Sequence, residues 1–320
     1  MTTKKTKTVT KSAKADDVEP EAKTVAPNRM WECALPASEL EGHHKLKILL
    51  TGPSGGGKTT TAGMFKRPLF VPTELQSIPT IRAVNPGALV FHNSDGRPGL
   101  RDANDLQQFR AMIRDPELSK RCDAVILDSL TDCQRIIKDA YTKRQTSGRS
   151  TTDMDTWGSI IDLTARLARE VRDLETHVLI TVLDEETEIN GRMVHRPNVF
   201  GKKLPSDLAQ YFNAVGFAHT KQMADGRIRF QTMFRGDGDK YIVKGLIGLD
   251  DIEPPEPQLW AAKVFGTEVP PDVAARVAEW HAMTQTTTGL ESGDDLKPTT
   301  EGKDDEDDSM KGDDPFADVQ

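Results

Sequence analysis

Cysteine is scarce in this 320-residue sequence, which contains only Cys33, Cys122 and Cys133. These residues form no CxxC pair and no even-numbered framework, so we expect neither a disulfide-stapled domain nor a zinc site. Long apolar runs are missing as well, and no stretch approaches the ~20 consecutive apolar residues that a membrane-spanning helix requires. The basic N-terminal segment lacks the apolar core of a secretory signal. Together these absences predict a reduced, cytoplasmic protein without a membrane partner.

Aromatic residues are also few, at 6% of the sequence, which argues against a surface that recognises nucleic acid mainly by base stacking. Acidic residues are unevenly distributed along the chain. The formal net charge is −8, but residues 291–318 contain 12 acidic and 3 basic side chains and carry −9 by themselves. Because the rest of the chain is close to neutral, any contact with nucleic acid must come from local basic loops rather than from a global field.

Composition and hydrophobic patterning divide the chain into three segments. Residues 1–44 are rich in Thr, Lys, Ala and Pro without apolar periodicity, which predicts a disordered basic arm. Residues 45–283 alternate short apolar runs with helical patterns, which predicts an α/β fold with a mostly parallel sheet flanked by helices. Hairpin signals at Asn190-Gly191 and Asp225-Gly226 add an antiparallel extension. Residues 284–320 are polar and acidic and predict a disordered tail.

The segment from Gly52 to Thr59 reads GPSGGGKT and satisfies the pattern GxxxxGK[ST]. The apolar run LKILL precedes it and a helix-compatible run follows, as in a phosphate-binding P-loop. Glycines let the backbone turn its N–H groups toward a phosphate, and the next helix adds free N–H groups. Lys58 supplies a positive charge for the β- and γ-phosphates of ATP, and the Thr59 hydroxyl is a candidate ligand for Mg²⁺. The predicted nucleotide-binding residues are Gly52, Pro53, Ser54, Gly55, Gly56, Gly57, Lys58, Thr59 and Thr60.

Asp128 is a second candidate metal ligand, because it ends the apolar run AVIL. In a parallel sheet this position lies at the carboxyl edge of the strands, beside the P-loop, where ligands bind. We therefore expect Asp128 to hold Mg²⁺ through a water molecule and to take part in catalysis with Lys58. The alternative is a structural role in which Asp128 caps the helix that follows.

The order of these features resembles the phage RecA-like ATPases, including the Sak-type single-strand annealing proteins. The resemblance spans residues 45–260 and rests on the P-loop, PLFVPTE, VILDS, a tryptophan-bearing helix, HVLITVL, a GK-containing loop and a late lysine. It implies a RecA-like core that hydrolyses ATP with Mg²⁺, is stimulated by single-stranded DNA and acts in recombination, annealing or replication. It also implies a ring or filament of identical subunits in the host cytoplasm.

Three further residues are candidates for roles at the ATP site, two of them by the resemblance. In RecA-type cores a glutamate after the second strand activates the attacking water, and Glu74 in PLFVPTE has this place, with Asp95 in HNSDG as its rival. Thr181 in HVLITVL is expected near the γ-phosphate as a sensor if its strand lies next to the Asp128 strand, although strands favour threonine for its β-propensity alone. Lys244 matches a lysine that reaches a neighbouring subunit's ATP, but the acid and arginine that usually follow are absent here.

Two basic loops, residues 143–152 and 185–203, are the DNA contacts that the same resemblance implies. Their side chains would contact phosphates without reading sequence, and the aromatic residue of the second loop would stack on bases. The alternative is a pair of solvated surface loops. The candidate DNA-binding residues are Lys143, Arg144, Arg149, Arg192, Arg196, Phe200, Lys202 and Lys203.

The acidic tail ends in DDPFADVQ and resembles the tails by which bacterial single-stranded DNA-binding proteins dock partners. A single-stranded DNA-binding or replication protein is therefore a candidate partner, although Phe316 is not terminal and a solubilising tail is the alternative.

Two other functions stay open: an ATP-gated loader that hydrolyses slowly while it positions a replication protein, and a P-loop phosphotransferase. A kinase would need an arginine-rich lid, for which residues 96–102 are the candidate.

Overall fold

The structure is a computed structural model that describes residues 44–144, 154–223 and 225–285. The predicted basic arm and acidic tail fall almost entirely outside these ranges, as does Arg149 of the first predicted DNA loop. The backbone of Lys143 and Arg144 ends a helix, but their side chains lie outside the described part of the chain. Within the described ranges, no helix is both long enough and apolar enough to cross a membrane.

The strands, in chain order, are β1 (Lys47–Thr51), β2 (Pro68–Pro72), β3 (Leu89–Val90), β4 (Ala124–Asp128), β5 (His177–Thr181), β6 (Asp184–Ile189), β7 (Arg192–Pro197), β8 (Ala214–Gln222), β9 (Ile228–Met233) and β10 (Ile252–Glu253). The helices are α1 (Lys58–Gly63), α2 (Ser77–Val84), α3 (Ala103–Met112), α4 (Leu118–Arg121), α5 (Leu130–Arg144), α6 (Met154–Arg172), α7 (Leu204–Tyr211), α8 (Pro257–Phe265) and α9 (Pro271–Gln285).

One sheet contains eight of these strands in the order β10-β9-β8-β1-β5-β4-β2-β3. The strands from β8 to β3 are parallel, whereas β9 pairs antiparallel with both β8 and β10. The α/β class, with a mostly parallel sheet and an antiparallel extension, is therefore confirmed. Because parallel strands share one direction, the carboxyl ends of β1, β2, β4 and β5 meet at one edge of the sheet.

Helices cover both faces of the sheet, which explains why its central strands read as continuous apolar runs. On one face, Phe109, Ile160 and Leu208 bring α3, α6 and α7 against the strands. On the other face, Phe65 after α1 and Trp260 of α8 belong to a second apolar core. The sheet edge that carries the P-loop is thus held between two packed layers.

Local sequence signals located most of these elements. Asn190 and Gly191 join β6 to β7 with positive φ angles of 52° and 77°, so the predicted hairpin is confirmed. Asp102 caps α3 by accepting hydrogen bonds from two backbone N–H groups. The apolar segment GALVFH, residues 87–92, contains only the two-residue strand β3. Helices α2, α7 and α8 were not predicted; each is short and has a proline in its first turn.

Candidate nucleotide-binding site

The P-loop connects the carboxyl end of β1 to the first turn of α1. Its conformation requires glycine at both ends. Gly52 has a φ of 145° and Gly57 a φ of 92°, values that residues with a Cβ rarely adopt. A Cβ on Gly52 would also collide with the carbonyl oxygen of Ala218 in the neighbouring strand β8. The glycines of the motif therefore allow the loop to curl tightly against the sheet.

Lys58 is the first residue of α1, and only 8% of it is exposed. Its Nζ donates hydrogen bonds to the carbonyl oxygens of Gly52 and Pro53, each at 2.7 Å. Burial lowers the pKa of Lys58, while nearby carboxylates, Asp128 first among them, raise it. The ammonium group therefore lies inside the loop, where it can bind the phosphates of a nucleotide.

Asp128 ends β4, and both of its carboxylate oxygens accept hydrogen bonds from threonine hydroxyls. The Oγ1 of Thr59 donates to Oδ2 at 3.0 Å, and the Oγ1 of Thr181 donates to Oδ1. Burial raises the pKa of Asp128, whereas the two hydroxyl donors and Lys58 lower it. Because β5 lies between β1 and β4, its last residue, Thr181, reaches the carboxylate. The structure thus brings three of the predicted site residues into direct contact.

Thr59 and Asp128 fit a magnesium site by the chemistry of their donor atoms. Mg²⁺ prefers oxygen ligands and is usually held by one or two protein groups together with water and phosphate oxygens. A hydroxyl and a carboxylate 3.0 Å apart at the mouth of the P-loop supply two such oxygen atoms. When bound there, Mg²⁺ would neutralise charge on the β- and γ-phosphates.

Glu74 lies two residues beyond β2, on the far side of Asp128 from the P-loop. Partial burial raises the pKa of Glu74, and a hydrogen bond with the Asp132 carboxyl raises it further. Asp132, in the first turn of α5, also accepts from Ser129 Oγ at 2.9 Å and from Arg135 Nη1 at 2.6 Å. Asp132 was not predicted from the sequence, because no motif marks it and it reaches the site only since α5 begins directly after β4.

One cleft of about 330 Å³ joins these groups. It is lined by the P-loop, by Glu74 and the start of α2, by Asp128, Ser129 and Asp132, and by Phe230 of β9. Sites for small ligands commonly have volumes of roughly 300–1,000 Å³. The cleft therefore has the size and the polar lining that a nucleotide requires.

Residues 44–242 match a family model, AAA_24, whose description is an AAA domain. The chain belongs to this family. The match covers more than half of the 320 residues and includes the P-loop, Glu74, Asp128 and Thr181. This AAA-domain protein is therefore a P-loop NTPase that binds ATP, as predicted from the loop itself.

Two solved structures are similar to parts of the chain. One is a prototypical ATPase from the type III secretion system of pathogenic bacteria, with 15% identity over 54% of this chain and 50% of that one and a TM-score of 0.35. The other is a KaiC-like protein from the archaeon Pyrococcus horikoshii OT3, with 12% identity over 59% of this chain and 77% of that one and a TM-score of 0.32. The first likeness spans half of that ATPase, and at these scores neither bears on function. A comparison with curated proteins gives no match.

Asp95, the rival candidate for the general base in this AAA-domain protein, lies away from the cleft. It follows β3 at the edge of the sheet, its side chain is 65% exposed, and it pairs with Arg97 at 3.4 Å. Four strand spacings separate β3 from β1, or roughly 19 Å at the usual spacing. Glu74, which lines the cleft, is the better placed carboxylate.

Lys244 also points away from the nucleotide edge of its own subunit. Its Nζ donates to the carbonyl oxygen of Phe212 at 2.8 Å. Phe212 precedes the amino end of β8, and β8 is parallel to β1, so this contact lies at the edge of the sheet opposite the P-loop. Its contact with the ATP of a neighbouring subunit stays a prediction.

The second predicted DNA loop is largely the β6–β7 hairpin, whose arginines are ion-paired. Arg196 contacts Glu185 at 2.6 Å, and Arg192 contacts Asp239. Strand β6 has the sequence DEETEI, with four acidic residues. The hairpin is therefore not basic as a whole, and its part in DNA binding stays a prediction.

Phe200, beyond the hairpin, packs edge-on against Trp157 with a centroid distance of 5.5 Å. The Nζ of Lys138 lies 5.2 Å from the Phe200 ring centroid and 5.3 Å from that of Trp157. Lys202 and Lys203 follow and are exposed. Two half-buried rings and three lysines thus lie in one region, which sequence spacing alone did not show.

Proposed function

We propose that this AAA-domain protein hydrolyses ATP with Mg²⁺ and couples hydrolysis to single-stranded DNA in phage recombination, annealing or replication. The observation that carries the ATPase proposal is the 3.0 Å contact between Thr59 Oγ1 and Asp128 Oδ2 beside Lys58. That contact joins the phosphate loop to the acidic end of β4 in one cleft. The Sak-type proteins, which the sequence resembles, combine such a site with a DNA substrate.

The cleft offers a separate group for each requirement of phosphoryl transfer to water. Lys58 and the P-loop N–H groups bind the phosphates and offset their charge, while Thr59 and Asp128 would hold the metal. Glu74 lines the cleft beyond Asp128, where it can orient a water molecule toward the γ-phosphate and accept its proton. A raised pKa makes this carboxylate a stronger proton acceptor than an ordinary glutamate.

The DNA part of the proposal is supported by how the segment around Phe200 is attached to the cleft. The Thr131 Oγ1 donates to the carbonyl oxygen of Asn198 at 2.9 Å, and it accepts from the backbone N–H of Leu183 at 3.1 Å. Leu183 lines the cleft. DNA bound at Lys202 and Lys203 could therefore shift the backbone near Asn198, which is connected to the nucleotide site by hydrogen bonds through Thr131.

The test is ATP turnover measured with and without single-stranded DNA, in the wild type and in the double variant Lys202→Glu, Lys203→Glu. We expect DNA to stimulate the wild type several-fold, and we expect the variant to keep its basal rate, lose the stimulation and bind DNA with a flatter salt dependence. A matched control variant reverses the charges of Lys120 and Arg121. These residues are exposed on α4, before the amino end of β4, and so lie at the sheet edge opposite the nucleotide site.

Other outcomes would replace the proposal with one of the alternatives. Slow turnover with tight ATP binding and no response to DNA would favour an ATP-gated loader. Turnover that requires a small-molecule acceptor would favour a phosphotransferase. Equal loss of stimulation in both double variants would show that Lys202 and Lys203 are not the specific contacts for DNA.

A further inference from the structure

The cleft has an aromatic wall on β9 that no motif of the sequence predicted. Phe230 is half-buried and lines the same cleft as Lys58 and Asp128. A Cβ placed on Gly57 would lie 2.5 Å from Cδ1 of Phe230. The ring therefore lies directly against the last turn of the P-loop.

The strand order gives the direction in which a bound triphosphate must lie. Asp128 on β4 and Glu74 after β2 are on one side of β1, and Phe230 on β9 is on the other side. If the terminal phosphate lies toward the carboxylates, the nucleoside leaves the P-loop in the opposite direction, toward β8 and β9. Phe230 lines the cleft at that end.

The surroundings of Phe230 hold it in place. Its strand pairs with β8, where Thr220 is its partner. The indole Nε1 of Trp280, on α9, donates to the carbonyl oxygen of Phe230 at 2.8 Å. The guanidinium of Arg229 lies 4.2 Å from the Trp280 ring centroid. These contacts fix the backbone from which the Phe230 ring projects, so the strand needs little further ordering when a ligand packs on the ring.

We propose that Phe230 forms the surface on which the base of the bound nucleoside triphosphate packs. The proposal deepens the ATP site and rests on it. A flat aromatic face attracts any base by stacking, without hydrogen bonds that distinguish one base from another. Phe230 should therefore contribute affinity for the nucleoside but little selectivity between adenine and guanine.

The test compares the binding of ATP and of inorganic tripolyphosphate, both with Mg²⁺, by titration calorimetry. Phe230→Leu keeps an apolar side chain against Gly57 and removes the aromatic face. We expect this variant to bind ATP about 10-fold more weakly and tripolyphosphate as the wild type does. Phe230→Tyr should restore ATP affinity, and GTP should follow ATP in each variant.

Two results would overturn the proposal. Equal weakening of both ligands would mean that Phe230 only shapes the P-loop, and unchanged ATP affinity in Phe230→Leu would mean that the base packs elsewhere. Lys58→Ala serves as the reference for the phosphate end, since it should weaken both ligands. A wild-type protein that binds neither ligand would instead contradict the proposed ATP site itself.

Discussion

Asp128 shows how a single buried carboxylate is stabilised by the groups that also bind nucleotide. Burial of an ionised side chain is costly unless hydrogen bonds and opposite charges offset it. Hydroxyl groups of Thr59 and Thr181 donate to the two oxygens, and Lys58 is the nearby cation that lowers the pKa. Each of these residues was predicted at the site, from its motif or, for Thr181, from the expected neighbourhood of its strand and the Asp128 strand. Their contacts depend on strand order, which residue types alone do not give.

At the same scale, Glu74→Gln should leave ATP binding unchanged and reduce turnover by roughly 10²–10⁴-fold, the usual contribution of a general base. The amide keeps the shape of the side chain but accepts a proton poorly. Binding and turnover are measured separately, by calorimetry and by phosphate release. Asp95→Asn is the matched control, because it removes one carboxylate at the far edge of the sheet. Normal hydrolysis by Glu74→Gln would assign the base to another group.

At the scale of the element, strand β1, which leads into the P-loop, is held in register by its pairing with β5. The two strands pair from Lys47 opposite Val178 to Leu50 opposite Thr181. Before this ladder begins, the backbone N–H of Leu46 donates to Nδ1 of His177 at 3.0 Å. That bond requires an unprotonated Nδ1, and burial lowers the pKa of His177 to about 4.

We therefore expect the free energy of unfolding to fall as the pH decreases from about 6.5 to about 4. In this window the unfolded chain protonates His177 while the folded chain does not, so the unfolded state binds more protons and acid favours it. The contribution of His177 is on the order of 2–3 kcal/mol. Urea denaturation at pH 4.5 and pH 7 measures it. His177→Gln should show a smaller difference between the two, and the exposed His92→Gln should behave as the wild type.

Elements could be predicted from the sequence where neighbouring residues determine them, and not where contacts between distant residues do. The Asn190-Gly191 turn was predicted because two neighbouring residues determine it. Helices α2, α7 and α8 were not, because they are short and are stabilised by packing against distant strands. Phe230 was missed for the same reason, since it meets the P-loop only through the pairing of β9 with β8.

At the scale of the whole molecule, the cleft lies at one edge of a sheet whose faces are covered by helices. The formal net charge of −8 comes from residues 291–318, which lie outside the described part of the chain and carry −9 by sequence. Because the rest of the chain is nearly neutral, the proposed DNA contact would depend on a few exposed lysines, and it should weaken as the salt concentration rises. Whether it assembles as a ring or a filament stays a prediction of the family resemblance.

The central claim is that one cleft binds ATP through Lys58 and hydrolyses it with Mg²⁺ at Thr59 and Asp128. Phosphate release across a Mg²⁺ titration tests it most directly, in the wild type, Lys58→Ala and Asp128→Asn, with circular dichroism confirming that each variant is folded. We predict metal-dependent turnover in the wild type and its loss in both variants. Wild-type rates of hydrolysis in a folded Lys58→Ala protein would contradict the claim.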